Sequence, residues 1–299
     1  MMIQENWGDF LLPILRKIFD KHLKPMKDFL PVIYNVETST KAQEFTHGVG
    51  SMGQMRKWSE TGGQVSYEEV NRGFKATYTH EKYSNGLRIE RELIQFAQYP
   101  EVKKRTKTLA DSKYYTFQDH AAKPFNECLS MIGPDGVPLA STVHPLGPFN
   151  ATTWSNYGTN LALDANNVEL VRNRMKTWTD DKGNKLMINP DTLIVPIALR
   201  KPALVIAGSE KEPDTADNNV NIWKGAVNVV EWDFLTDDNM WFFVDMNRMK
   251  QFLSWFNARV PVIEKDSKDD FNTEVSQYKI VGLWSYGWDD ASWVYVARQ

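Results

Sequence analysis

The sequence predicts an α+β chain, and three observations carry that reading. A polar, glycine-containing stretch with no apolar core of its own occupies residues 38–73. A run of about thirty residues with apolar positions three and four apart follows, the period of a helix. The C-terminal half then supplies short apolar or alternating runs cut by Gly, Pro and Asp turns, and holds eight of the eleven Trp, from Trp178 to Trp293. At 299 residues with 42% apolar and 24% charged side chains, the chain has ordinary globular composition, which excludes a disordered tail, a collagen-like fibre and a coiled coil. The length allows two domains or one large elaborated one.

Residues 5–30 place Trp7, Leu11, Ile14, Leu15, Ile18, Phe19 and Leu23 on a helix stripe, with Pro13 expected in the first turn and Pro25 and Pro31 closing the segment. Such a helix packs on its own core or on a neighbouring subunit. Residues 46–73 hold six Gly with residue 48 as the first, and too few aliphatic side chains to bury anything alone. Phe74–Ile94 alternates as two strands, with Ser84-Asn85-Gly86 as the turn between them, since Asn-Gly is a strong hairpin signal. A lone hairpin is marginal in water and needs something to lie on. From Pro100 to about Leu129 the spacing predicts the longest helix, with Val102, Leu109, Phe117, Ala121, Phe125 and Cys128 on its buried side and Pro124 kinking or ending it.

Gly133–Tyr157 reads as loop, with a tight turn at Gly-Pro-Asp-Gly (133–136). A helix is expected from Asp164 to Trp178 through Val168, Val171 and Met175, then a turn at 181–184. Lys185–Ile188 and Thr192–Val195 read as strands, and Ala198–Ala207 as a helix stopped by Gly208. Further strands are expected at Ala226–Phe234, Met240–Asp245, Arg259–Ile263, Tyr278–Tyr286 and Ser292–Ala297, with a short helix over Asn247–Phe256.

Charge and cysteine usage narrow the function. One cysteine, Cys128, excludes an internal disulfide framework and a Cys-rich zinc site and suits a reducing compartment. No apolar run approaches the ~18–20 residues of a membrane span, and the first residues lack the pattern of a secretory signal. The net charge of −3 is not that of a generic DNA-binding domain. It is uneven: Ser209–Asp245 holds nine acids against two bases, Lys211 and Lys224.

The search for chemistry yields no catalytic, cofactor-binding or metal-binding residue. Gly48, Gly50 and Gly53 form a G-x-G-x-x-G, but Gly62-Gly63 prevents the helix that would seat a pyrophosphate, so the motif reads as a loop base. His80-Glu81 lacks a second His at position 84, which is Ser, and the five histidines (22, 47, 80, 120 and 144) show no ligand spacing. Cys128 reads as inert core rather than as a nucleophile paired with His144. Asp pairs at 180–181, 237–238, 269–270 and 289–290, with Trp154, Trp223, Trp241 and Trp288, sketch a glycoside site. Each pair sits in an expected turn, however, where Asp serves the backbone, and the tryptophans read as core and interface packing. No P-loop, nucleophile elbow or kinase signature occurs.

The order of parts resembles the tailed-phage major capsid proteins of the Hong Kong 97-type fold, and several stretches resemble the Mu-type major head subunits. These are SMIGPDGVPLASTVHPLG (130–147), NPDTLIVPIALRKPALVIAGS (189–209), WFFVDMNRMKQFLSWF (241–256) and IVGLWSYGWDDASWVYV (280–296). The resemblance implies an N-terminal arm (1–45), an E-loop laid across a neighbour (46–93) and a P domain (94–189) with its spine helix at 98–130. It also implies an A domain (190–285) containing the acidic loop 209–219, and a C-terminal strand (286–299) returning to the P domain. The implied function is a structural head protein that self-assembles into hexamers and pentamers of an icosahedral shell around double-stranded DNA. It has no catalysis and no cofactor; it works in the virion after assembly in the host cytoplasm. The implied partners are other copies, the portal, a scaffolding protein and a decoration protein, with packaged DNA touched weakly by bases such as Lys103, Lys104, Arg105 and Lys107 on the spine helix. The arm at the start of the chain leads us to expect a separate scaffold or none. Lys57, Lys75 and Lys82 lie in the hairpin region without a specified partner, so no crosslink is expected. Two alternatives stay open: an encapsulin-like compartment shell of the same fold, and a soluble glycoside-active enzyme using paired Asp or Glu.

Overall fold

The computed structural model describes residues 7–58, 65, 67–96, 98–211, 220–266 and 274–299. Helix α1 (Trp7–Leu23) buries Leu11, Leu15 and Phe19, spaced four apart, and leaves Phe10 and Ile14 exposed on a second face. A short α2 (Leu30–Ile33) leads into strand β1 (Asn35–Thr38), and β2 (Gln43–Val49) follows. Strands β3 (Arg72–Thr79) and β4 (Glu81–Glu90) precede a single turn, α3 (Arg91–Gln95). The long helix is α4 (Tyr99–Asn126), with Pro100 in its first turn. Its 28 residues span about 42 Å at 1.5 Å each. Ala110, Ala121 and Ala122 on its buried side let it lie close to what it covers.

Two sheets share this helix. In the first, β13 (Val275–Trp288) is the axis. Strands β11 (Leu253–Arg259) and β12 (Ile263–Lys265) pair with one side of it, and β4 pairs along the other. β1 joins β11 in parallel. Leu11, Leu15 and Phe19 of α1, Val102 and Leu109 of α4, and Ile89, Ile263, Tyr278 and Ile280 of the sheet form one core. The second sheet runs β7 (Tyr157–Gly158), β14 (Val294–Arg298), β10 (Met240–Val244), β8 (Thr192–Val195), β9 (Asn228–Glu231). Helices α5 (Ala165–Lys176) and α6 (Arg200–Gly208) pack on it, and Asp164 caps α5 by accepting from the Asn167 N–H at 2.7 Å. In β10, Trp241 and Phe243 enter the α5–α6 core, while Met240, Phe242 and Val244 enter the core shared with α4 and Trp255. The period of two thus buries both faces of one strand. Helix α7 (Met246–Phe252) joins β10 to β11, and β5 (His144–Gly147) with β6 (Asn150–Trp154) makes a small hairpin.

Several expectations are corrected. Ser84-Asn85-Gly86 does not turn: β4 runs straight through it, with Asn85 opposite Ile280 and Gly86 opposite Lys279. The ladder offered by the 14-residue β13 outweighs the local turn preference. The hairpin is formed instead by β2 and β3. Pro13 falls in the second turn of α1 rather than the first. Lys185–Ile188 makes only an isolated bridge, Thr179 to Lys185. The helix over 247–256 ends at Phe252, and Leu253–Phe256 is already strand, because these residues pair with β13. Residues 260–262, expected as strand, are the break between β11 and β12. Residues 253–259 and 263–265 pair with β13, and residues 275–284 of β13 pair with β4. Strand β14 pairs with β10 and β7, and its Val294 and Val296 share a core with Ala121 and Phe125 of α4.

Candidate assembly surfaces

The β2–β3 hairpin is largely exposed. Its strands pair from Gln43 opposite Thr79 to His47 opposite Lys75, then shift register to set Val49 opposite Arg72. At that shift the two backbones touch: a Cβ on Gly73 would lie 2.6 Å from the Gly48 carbonyl carbon, so glycine is required there. Phe45, Val49, Met52, Met55, Trp58 and Tyr67 stand exposed along the hairpin and beyond it, Met55 fully. An apolar band of this kind marks a contact surface rather than a core.

The base of the hairpin is anchored. Asp289 accepts from the Thr46 hydroxyl at 2.5 Å and from the Tyr78 hydroxyl. His80, between β3 and β4, bridges the Ser285 hydroxyl (2.9 Å) and the Ser39 hydroxyl (3.0 Å). Tyr78 packs on Phe256 with ring centroids 5.1 Å apart, and burial pushes its phenol pKa well up. The tip rests on the turn after α5. Asp181 Oδ1 accepts from Ser51 N at 2.9 Å, and Asn184 Nδ2 donates to Met52 O at 3.2 Å. Within the tip, Glu68 accepts from Gly53 N (3.0 Å) and pairs with Arg56 (3.0 Å), which holds its carboxyl below the ordinary range, the Gly53 bond contributing most. A cleft of about 420 Å³ opens between the hairpin, the 133–135 turn, the β5–β6 hairpin and residues 288–292. A second exposed apolar group lies on the α6 side, where Ile197, Leu204, Val205, Val220 and Ile222 face outward.

The sequence motifs dissolve into structural roles. After Gly48, Gly50 and Gly53 no helix opens within the described residues 51–58; Gly62-Gly63 lie outside the described residues. His22 contacts Asp111 at 2.7 Å, and His47 is exposed on β2. His120 accepts from Trp284 Nε1 at 3.1 Å inside a ring of Tyr83, Trp284 and Tyr286, and burial lowers its pKa. His144 is buried, its Nδ1 2.6 Å from Asp135 and its Nε2 near Leu139 O and Asn156 Oδ1. No group of three or more His, Cys, Asp or Glu capable of holding a metal occurs among the described residues. Cys128 is buried with its sulfur 3.3 Å from that of Met240, and desolvation pushes its thiol up to about 12. Trp223 and Trp241 belong to the α5–α6 core, Trp288 to the core shared with α4, and Trp154 stacks on His144, so no common platform exists.

The Asp pairs serve turns, as their positions suggested: Asp180 accepts from Lys182 N and Asn184 N, and Asp237 from Asn239 N. Asp269-Asp270 and the acidic residues 212–219 lie outside the described residues. What the sequence did not reveal is that Asp181 and Asp289 reach across to hold the hairpin. The only signal was that each pair carries one more carboxylate than its turn uses. On α4, Lys103, Lys104 and Lys107 are exposed, while Arg105 pairs with Glu90 (3.0 Å) and Glu101 (3.2 Å). Lys75 lies over the Phe45 ring at 4.2 Å.

A family model described as phage capsid protein matches residues 75–297. No curated protein matches the chain. Among solved structures, a chain from the capsid of bacteriophage JBD30, decorated with minor capsid protein trimers, superposes with a TM-score of 0.58 at 14% identity, covering 72% of this chain and 93% of that one. A chain of the cyanophage P-SCSP1u capsid gives 0.56 at 11% identity, covering 90% and 86%. A virus-like particle from Pyrococcus furiosus gives 0.52 at 10% identity, covering 96% and 99%. At such identities the likeness is one of fold.

Proposed function

The chain belongs to the phage capsid protein family, and from that premise we propose how it builds a shell. It is a structural capsid subunit of the virion with the Hong Kong 97-type fold. In our reading it self-assembles into hexamers and pentamers of an icosahedral shell that encloses double-stranded DNA, after synthesis in the host cytoplasm. The observation that carries this is the hairpin: Phe45, Val49, Met52, Met55 and Trp58 are exposed on an element that covers no core of its own. Such a surface has a purpose when a neighbouring copy covers it.

We assign 1–45 to the N-terminal arm and 46–93 to the E-loop, whose working hairpin is β2–β3. The ladders support placing β11, β12 and β13 with the spine helix α4 in the P domain, with β4 as the returning strand of the E-loop paired along β13. They support grouping the second sheet, β14 included, with α5 and α6 as the axial unit. The outward Phe10 and Ile14 of α1 support an arm that also touches a neighbour. Portal, scaffolding and decoration proteins complete the proposed partners, and Lys103, Lys104 and Lys107 are the bases we assign to weak DNA contact. Placement among the Mu-type head subunits belongs to the same proposal. The virus-like particle likeness keeps a compartment shell in view, but the family match favours the phage head.

The test is the mass of the purified chain by light scattering, with negative-stain images of the same sample. Megadalton shells or tubes are expected. A monodisperse monomer that forms no particles at any concentration would overturn the self-assembly reading.

A further inference from the structure

We propose that the hairpin tip is held in an autoinhibitory clasp on its own chain, through the Asp181 carboxylate and the Asn184 amide, and that this clasp opens before the hairpin lies on a neighbouring copy. The inference rests on the E-loop reading above and adds a control step to it.

The clasp is built from a preformed receptor. The Asp180 carboxylate organises the 180–184 turn, accepting from Lys182 N (2.9 Å), Asn184 N (2.8 Å) and Asn184 Nδ2 (3.0 Å), while Gly183 takes the left-handed conformation at φ 85°. Asp181 is therefore spare, and its Oδ1 receives Ser51 N at 2.9 Å. Asn184, held by Asp180, keeps an amide proton for Met52 O at 3.2 Å. The tip is shaped for this approach: a Cβ on Gly50 would lie 3.1 Å from Asp181 Oδ2 and 3.0 Å from Asn71 O. This gives the glycine motif a use that nucleotide binding did not. Gly48 admits the crossing strand, and Gly50 admits the carboxylate.

The contact is also made to release. It uses the Asp181 and Asn184 bonds to main-chain atoms and a Ser51 side-chain bond to Asp180, and the apolar side chains beside it stay in solvent, Val49 77% and Met52 62% exposed. The base, by contrast, combines a carboxylate, a buried tyrosine and an aromatic contact. Opening the tip thus leaves the hairpin attached and free to pivot. While the tip is closed, the hairpin points at its own axial unit and cannot cover another copy.

The experiment compares the unaltered chain with Asp181→Ala, which leaves the Asp180-centred turn intact, and with Gly50→Ala, whose Cβ presses on Asp181 Oδ2 and on Asn71 O. Trypsin cleavage after Arg56 and Lys57 in the unassembled subunit reads the clasp, and the lag in a light-scattering time course reads its effect on assembly. Losing a hydrogen bond to a charged group predicts about tenfold faster cleavage and a lag shortened several-fold, in both variants. Unchanged cleavage refutes the clasp. Faster cleavage with an equal or longer lag refutes autoinhibition, since the contact would then be neutral or would prepare the hairpin for assembly. Particles from the unaltered chain alongside either result leave the shell reading intact, whereas no particles from any of the three chains refute both.

Discussion

Replacing Asp289 should release the hairpin at its base. One carboxylate oxygen accepts both the Thr46 and Tyr78 hydroxyls. Hydrogen bonds to a charged group contribute about 1.5–3 kcal/mol each. Asp289 is only half-buried, so the lower figure applies and the pair is worth about 3 kcal/mol. Asp289→Ala also strands the buried Tyr78 hydroxyl. Since 1.4 kcal/mol is about a factor of ten, amide exchange in β3 should quicken by about two orders of magnitude. Urea unfolding of the remaining cores should shift much less, because the hairpin contributes little to them. Tyr78→Phe should cost about half as much, and the double variant should fall short of the sum, because both changes delete the same bond. Hydrogen exchange on the unassembled subunit measures each value. If Asp289→Ala leaves β3 exchange within about threefold of the unaltered protein, the anchor does not exist as described.

Cys128 should resist thiol reagents. A thiol raised from 9.0 to about 12 is about a thousandfold poorer in thiolate at pH 8, so labelling should begin only at the urea concentration that unfolds the chain; prompt labelling of folded protein would contradict this. Burial raises the pKa of Tyr34, Tyr78, Tyr286 and, to about 12, Tyr83. Their stabilisation is complete below about pH 10, the unfolded value, and is lost as pH rises through the folded values, so unfolding should steepen above pH 10 and phenolate absorbance should appear with it. All eleven tyrosines titrating together near pH 10 in folded protein would refute this. Gly282→Ala would place a Cβ 2.3 Å from Trp284 Cζ3 and 2.6 Å from Pro261 Cγ. The clash should cost about 1–3 kcal/mol and lower Tm by several degrees, and an unchanged Tm would show that the ring can move aside.

The parts of the fold that the sequence disclosed are those whose signals are local. Pro100 and the stripe through Val102, Leu109 and Phe125 located α4, and Asp164 ahead of Val168 and Val171 located α5. The turns at 133–136 and 181–184 were legible because Gly136 and Gly183 supply positive φ. Errors arose where a distant strand decided the outcome. Asn85-Gly86 reads as a turn in isolation, and only β13, almost two hundred residues later, straightens it. Leu253–Phe256 continues a helical stripe and becomes strand for the same reason. The hairpin's polar, coreless character was readable, but the carboxylates that hold it were not. Asp181 and Asp289 lie in turns where Asp is common, and nothing in their spacing points to Ser51 or Thr46.

Strand β14 occupies Val294–Arg298 and sits between β7 and β10 in the second sheet. A ribosome makes these residues after every other strand of that sheet, so during synthesis β10 has no partner on that side and β7 has none at all. The second sheet therefore closes only after residue 298 has emerged. A chain that stalls or terminates earlier presents an open edge instead of a finished surface. Synthesis thus leaves one edge of β10 and all of β7 unpaired until β14 is made.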